Sequence, residues 1–245
     1  MIFRISDNIL SPLGETTQEN YQAVRAGSSQ LCRYDSYPGI PQPFTGSLFS
    51  DEQNRRIAVA GLTRFESLAY ASASRAIRES GIDPSSSRVV FILSTTKGNI
   101  ELISEDPSDE SILYPCTAAQ HVAQRLGITT VPLTVCNACI SGVSAMVLAL
   151  RLLEAGTYDY AVVCGADTQC QFTISGFQSL KAVSESQCRP FDIERLGMNL
   201  GEAAATIVFA RQSVGGAWAM QSGAVRNDAF HISSPSKNGE GARLT

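Results

Sequence analysis

Cys136 and Cys139 stand in C-x-x-C spacing within "VCNACISG", just after an apolar run and just before a helical pattern. Three chemistries use such a pair: a thiol redox dithiol, half of a zinc site, or one thiolate nucleophile beside an inert neighbour. Zinc ranks last. A structural zinc site takes four ligands, but there is no second C-x-x-C, and His121 and His231 are far apart in sequence. No metal is therefore expected. A redox pair leads its helix with the first cysteine as exposed attacker, whereas here Cys136 ends the strand pattern and Cys139 occupies the strand-to-helix corner.

That corner is what the third chemistry needs: a buried strand, a sharp turn carrying the nucleophile, and a helix directly behind it. Ala138, Ser141, Gly142, Ser144 and Ala145 are small enough to let backbone or substrate approach closely. The unpaired N–H groups of the helix's first turn can stabilise a thiolate there and polarise a thioester carbonyl. Cysteines beside apolar runs are also common core fillers, so the residues alone leave nucleophile and filler both open.

The elements that must hold this corner follow from hydrophobic periodicity. Short β-branched runs alternate with helical patterns, which argues for an α/β layered domain. Residues 2–10 read as a first strand, and 16–27 as a helix with a Thr cap and a Gly27 stop. Residues 28–58, with Pro38, Pro41, Pro43 and Gly39, read as an excursion off the core. Residues 62–81 form an amphipathic helix with Leu62, Phe65, Leu68, Ala69, Ala73 and Ala76 on one face. Residues 87–95 form a strand, 116–127 a helix, 128–136 a strand, 140–155 a helix, and 158–167 a strand. Beyond these, 203–210 and 215–225 are two further strands expected to pair around Gly215 and Gly216. The final stretch from Arg226 is loop-like and ends where a helix would start.

Bulk properties exclude several function classes. Lys and Arg number 19 against 23 Asp and Glu, a net charge of −4, with no basic cluster able to neutralise a run of phosphates, so nucleic acid is excluded as a partner. Arg151 and Glu154 interrupt the longest apolar stretch, so no membrane span is expected. The first residues lack the apolar core of a secretion signal. Seven cysteines (Cys32, Cys116, Cys136, Cys139, Cys164, Cys170 and Cys188) fit reduced cytoplasmic thiols packed mostly as small hydrophobes, Cys164 among the buried ones.

"NACISG" resembles the nucleophile motif of the β-ketoacyl-acyl-carrier-protein synthases, elongating condensing enzymes of the thiolase-like superfamily. Further stretches match in order: "ILSPLGETTQENYQAVRAGSSQL", "GFQSLKAVSESQCRPFDIERLGMNLGEAAATIVFA" and "NDAFHISSPSKNGEG". The resemblance implies a thiolase-like α/β fold, a mixed, mainly parallel sheet covered by helices, with residues 1–245 forming the N-terminal half of a duplicated architecture. It implies that Cys139 is the active cysteine and that Cys136 has no catalytic role. The implied acyltransferase reaction is capture of an acyl group from a thioester, then decarboxylative Claisen condensation with malonyl-acyl carrier protein, in fatty acid or polyketide-type synthesis. No resident cofactor is implied, since the phosphopantetheine arm belongs to the carrier protein. Phe177 falls where the family lines its acyl pocket, although an ordinary core aromatic fits as well.

Other conspicuous residues have structural explanations. Arg189 and Asp192 are expected to pin a loop as an ion pair, and Glu202 to satisfy backbone donors near a strand start. His231 falls in what the family uses as a structural loop. "KGNI", Lys97 to Ile100, replaces a more Gly-rich turn of the family, which bears on loop detail and not on the fold. The family's second half, with two histidines, a lysine and a Gly-rich strand, has no counterpart here. An apolar face awaiting cover is therefore expected, and the final "GEGARLT", on the verge of a helix, points to a cut inside a longer protein. The expected partners are carrier-protein thioesters, that missing half or a second chain, and a homodimer or heterodimer mate. Two other functions compete: a non-catalytic partner like a chain-length factor, which generally lacks the nucleophile, and a redox protein using Cys136 and Cys139.

Overall fold

The computed structural model describes residues 1–213, 215, 217–230 and 236–245. His231 lies outside them. Nine strands and seven α-helices are present among the described residues. The main sheet has six strands in the order β5-β4-β6-β8-β1-β9, where β1 is Ile2–Leu10, β4 Val89–Ser94, β5 Leu133–Val135, β6 Tyr160–Asp167, β8 Ala203–Ala210 and β9 Ala219–Met220. The ladders of β4 with β5 and β6 are parallel, while those of β6 with β8, β8 with β1, and β1 with β9 are antiparallel. Four of the six strands thus point the same way in a mixed sheet.

Helices cover both faces of the sheet, which is why β4 reads as an uninterrupted apolar run with all six residues buried. Val89, Phe91 and Leu93 pack with Phe65, Leu68, Ala69 and Ala73 of α3 (Arg64–Ser80) and with Ala118, Ala119 and Val122 of α4 (Pro115–Leu126). On the other face, Val90 and Ile92 meet Ala145, Ala149, Leu150 and Leu153 of α5 (Ser141–Glu154). The α3 helix opens with a full capping box, Thr63 with Glu66, and closes on Gly81 at φ 70°. Helix α1 (Thr17–Arg25) opens in the same way, with Thr16 and Glu19.

Residues 28–58 build part of a small lobe. Here β2 (Cys32–Tyr34) pairs antiparallel with β3 (Phe44–Ser47), and β3 runs parallel to β7 (Leu200–Gly201). Helix α2 (Asp51–Ile57) follows β3, and α6 (Gln171–Ser179) lends Ile174 and Phe177 to the lobe's own core around Phe44. Tyr34 stacks on Phe44 at 5.1 Å between centroids, and Tyr37 meets it edge-on at 5.6 Å.

Two strand expectations are corrected. The strand expected over 128–136 contracts to three residues, since Pro132 has no N–H to donate to a ladder. Among its described residues the segment 215–225 contributes only the two residues of β9, which pair with β1 rather than β8. Both edges of β8 are already taken by β1 and β6, so the free edge of β1 receives it. The chain closes on a short helix, α7 (Glu240–Leu244).

No helix among the described residues is long and apolar enough to cross a membrane. The loop region from Leu180 to Leu196 does leave large apolar side chains in solvent: Leu180, Phe191, Ile193 and Leu196 are between 72% and 101% exposed.

Candidate active site

The last residues of β5 run into a turn that precedes α5. Ala138 adopts φ 47°, a left-handed conformation that a side chain disfavours, and Cys139 follows it with its thiol exposed. The turn is held from beneath by Ser141, whose buried hydroxyl accepts the Asn137 N–H at 2.8 Å and donates to Ala138 O at 2.7 Å. Asn137 Nδ2 also reaches Ser144 Oγ at 3.1 Å. The backbone N–H groups of Ile140, Ser141 and Ser144 bond to Asn137 O, Ala138 O and Ile140 O. Gly142 and Val143 remain as the first-turn amides whose donors point along the positive end of the α5 dipole.

Small residues let this helix start close to the sheet. A Cβ on Gly142 would lie 3.9 Å from Ser94 Oγ, and one on Gly165 only 3.0 Å from the same atom. The strain at Ala138 has a measurable consequence: Ala138→Gly should raise stability by about 0.5–1 kcal/mol in equilibrium unfolding. A destabilised variant would show that the αL turn is not present in solution.

The two cysteines of the spacing motif differ. Both are free thiols at the surface, but partial burial pushes the Cys136 thiol up, and the charges of Asp167 and Cys116 push it further. Cys164 lies fully buried against the α3 face, where desolvation drives it up to about 12. It is the inert packing thiol expected from its strand.

Phe177 sits half-buried on α6 in the lobe core with Ile40, Phe44 and Leu200, an assembly of elements separate from the β5–α5 corner. A cavity of about 870 Å³ lined by Tyr34, Tyr37, Phe49, Arg64 and Glu202 among others also belongs to the lobe, and Cys139 is not in its wall. Beside Cys139, Ile140 and Val143 offer exposed apolar surface.

Arg189 lies 3.7 Å from Asp192 and 3.5 Å from Glu194, pinning the loop as anticipated. Glu202 falls between β7 and β8 and accepts the N–H groups of Phe49 at 2.9 Å and Gln169 at 2.8 Å. It also pairs with Arg64, so one carboxylate joins the lobe to α3. Burial pushes its carboxyl up, opposed by Arg64 and the two backbone donors.

Sequence reasoning missed two polar clusters. His121 Nδ1 meets the buried Glu66 carboxylate at 2.9 Å, and Asn99 donates to the same oxygen at 3.0 Å. Asp167, at the end of β6, gathers Thr95, Thr96 and Lys97. An acidic residue closing a buried strand, level with Thr-Thr-Lys closing its neighbour, was the available signal. No group of three or more His, Cys, Asp or Glu suited to a metal ion occurs among the described residues.

Residues 8–214 match the family model described as "Beta-ketoacyl synthase, N-terminal domain". The chain is 23% identical to 3-oxoacyl-[acyl-carrier-protein] synthase 2 of Vibrio cholerae, over 96% of this chain and 65% of that protein. It is 29% identical to a putative polyketide beta-ketoacyl synthase 1 of Streptomyces cyaneus, over 59% of this chain and 41% of that one. Among solved structures, a ketosynthase in complex with its chain length factor from Xenorhabdus doucetiae superposes with a TM-score of 0.75 at 23% identity, covering 98% of this chain and 65% of that chain. The chain therefore spans about two thirds of the length of such relatives, 65% for the Vibrio protein. With the family model matched across the strands and helices that build the Cys139 corner, this chain belongs to the β-ketoacyl synthases, in their N-terminal domain.

Proposed function

We propose that Cys139 is the acyl-accepting nucleophile of a decarboxylative condensation in fatty acid or polyketide-type synthesis. The observation that carries this reading is the exposed Cys139 on a left-handed corner pinned by the Ser141 hydroxyl, at the start of a helix whose Gly142 and Val143 amides have no backbone partner. The thiolate sulfur attacks the carbonyl of an acyl thioester on a carrier protein. The tetrahedral oxyanion is stabilised by amide donors, and the carrier's pantetheine thiol leaves with a proton. Malonyl-carrier protein then loses carbon dioxide, and its carbanion attacks the Cys139 thioester. A β-ketoacyl-carrier product forms and the Cys139 thiolate is released.

The groups that drive decarboxylation are assigned to the remaining third of the relatives' length, on the same polypeptide or on a second chain. Support comes from the exposed apolar side chains of Leu180, Phe191, Ile193 and Leu196, a surface suited to such cover. No cofactor resides on this chain in this reading, because the pantetheine arm arrives with the substrate. A dimer, with a like or an unlike mate, and a cytoplasmic setting are part of the same proposal.

The test is acylation. Incubated with an acyl-loaded carrier protein, the chain should gain one acyl mass, and peptide mapping should place it on Cys139. A chain that stays unmodified, while pairing with a second synthase subunit, would make it a non-catalytic mate like a chain-length factor. A reversible Cys136–Cys139 disulfide in place of acylation would mark it as a redox protein.

A further inference from the structure

Three strands end together beside the Cys139 corner. Ser94, the last residue of β4, is level with Val135 of β5 and with Gly165 of β6. The residues that follow, Thr95–Lys97, Cys136–Cys139 and Ala166–Asp167, therefore share one end of the sheet. Asp167 Oδ1 accepts from Thr95 Oγ1 at 3.0 Å, Thr96 N at 3.1 Å and Thr96 Oγ1 at 2.8 Å. Lys97 Nζ lies 3.6 Å from the same oxygen and contacts Thr96 Oγ1. Thr95 in turn donates its N–H to Val135 O at 3.2 Å, and its hydroxyl accepts the N–H groups of Lys97 and Gly98.

The carboxylate thus reaches across the end of β4 towards the loop that Val135 leads into. The charged and titratable groups gathered at this end are Asp167 from β6, Lys97 from the segment after β4, Cys116 in the first turn of α4, and the two cysteines of the loop. A fixed negative charge opposes a second one nearby, and thiols attack only as thiolates. Cys136 and Cys139 both reach the surface, and partial burial of Cys136 acts first to hold its thiol up, with the Asp167 charge adding to it. A thiolate three residues from the nucleophile would compete for the same thioester.

We infer that Asp167, tempered by its partner Lys97, is a positioning and selecting residue that keeps Cys136 out of the chemistry and leaves Cys139 as the thiol that is acylated. This rests on the assignment of Cys139 as the nucleophile. Asp167 is bonded to Thr95, Thr96 and Lys97; it acts through the two threonines on the geometry of the strand ends and through its charge on Cys136.

The test uses the whole chain and limiting iodoacetamide, with peptide mass spectrometry following Cys136 and Cys139 separately from neutral to alkaline pH. In Asp167→Asn, Cys136 should alkylate roughly 3- to 10-fold faster at neutral pH, its profile moving to lower pH, while Cys139 changes less than about twofold. Asp167→Glu should restore the slow Cys136. Lys97→Gln, a milder change that keeps the carboxylate and removes its compensating cation, should slow Cys136 further. That variant reads the charge effect if Asp167→Asn fails to fold. Cys136 rates that ignore both Asp167→Asn and Lys97→Gln overturn the inference. A native chain whose Cys139 takes no acyl group, while Asp167→Asn still accelerates Cys136, overturns instead the nucleophile assignment beneath it.

Discussion

Cys139→Ala should lower the rate of acyl-adduct formation from a carrier-protein thioester by on the order of 10³-fold or more, because a covalent intermediate has no other atom to form on. The thiol is exposed, so the variant's unfolding free energy should stay within about 0.5 kcal/mol of the native value. That pairing of a large kinetic loss with unchanged stability separates a nucleophile from a packing residue. Cys136→Ala provides the contrast and should keep acylation within a fewfold of native. Acyl-adduct formation is read by intact mass against time. Adduct persisting in Cys139→Ala at the native rate would move the chemistry to another residue.

Glu202→Ala is expected to cost about 3 kcal/mol of stability. Its side chain is 1% exposed, and truncation strands the buried N–H groups of Phe49 and Gln169 together with the Arg64 guanidinium. The figure sits at the low end for a broken buried pair, because Arg64 is about one third exposed and water can reclaim it. Denaturant unfolding with an unchanged m-value checks it; a loss below about 1 kcal/mol would mean the lobe is held by its Phe44 core alone.

The same residue has a pH signature. Its carboxyl is raised in the folded state, so between the ordinary Glu value and the raised one the folded protein binds more protons than the unfolded. The stability contributed by this group is present below the unfolded value and lost as pH rises through the folded one. Glu202→Gln should remove that slope, and an unaltered pH–stability profile would show that desolvation does not dominate there.

The legible parts of the fold were those coded locally. Thr63, Glu66 and Gly81 bracket α3 by capping chemistry, and the unbroken VVFILS announced a strand covered on both faces. The Cys139 corner was visible for the same reason, since strand end, small residues and helix start lie within ten positions. What escaped depends on non-local register. The left-handed turn falls on Ala138, a residue type that gives no sign of it. The lobe sheet joins residues 44–47 to 200–201, and no local pattern encodes that pairing. Asp167 acquires its partners only because β4 and β6 end level, so three unremarkable strand-end residues become a cluster. Lys97, read from sequence as a departure in loop detail, turns out to sit on that carboxylate.

The two-residue strand β9 has a bearing on handling the protein. With Trp218 O accepting the Arg4 N–H at 2.8 Å and Ala219–Met220 laddered to Ile2 and Phe3, it occupies the outer backbone of β1. A polypeptide stopped at residue 214, where the family match ends, would leave those N–H and C=O groups of β1 bare, a template for strand-to-strand association between molecules. Domain boundaries drawn at the end of the family match would thus expose that stretch of edge to neighbouring molecules, whereas carrying the chain a few residues past Met220 keeps the first residues of β1 covered.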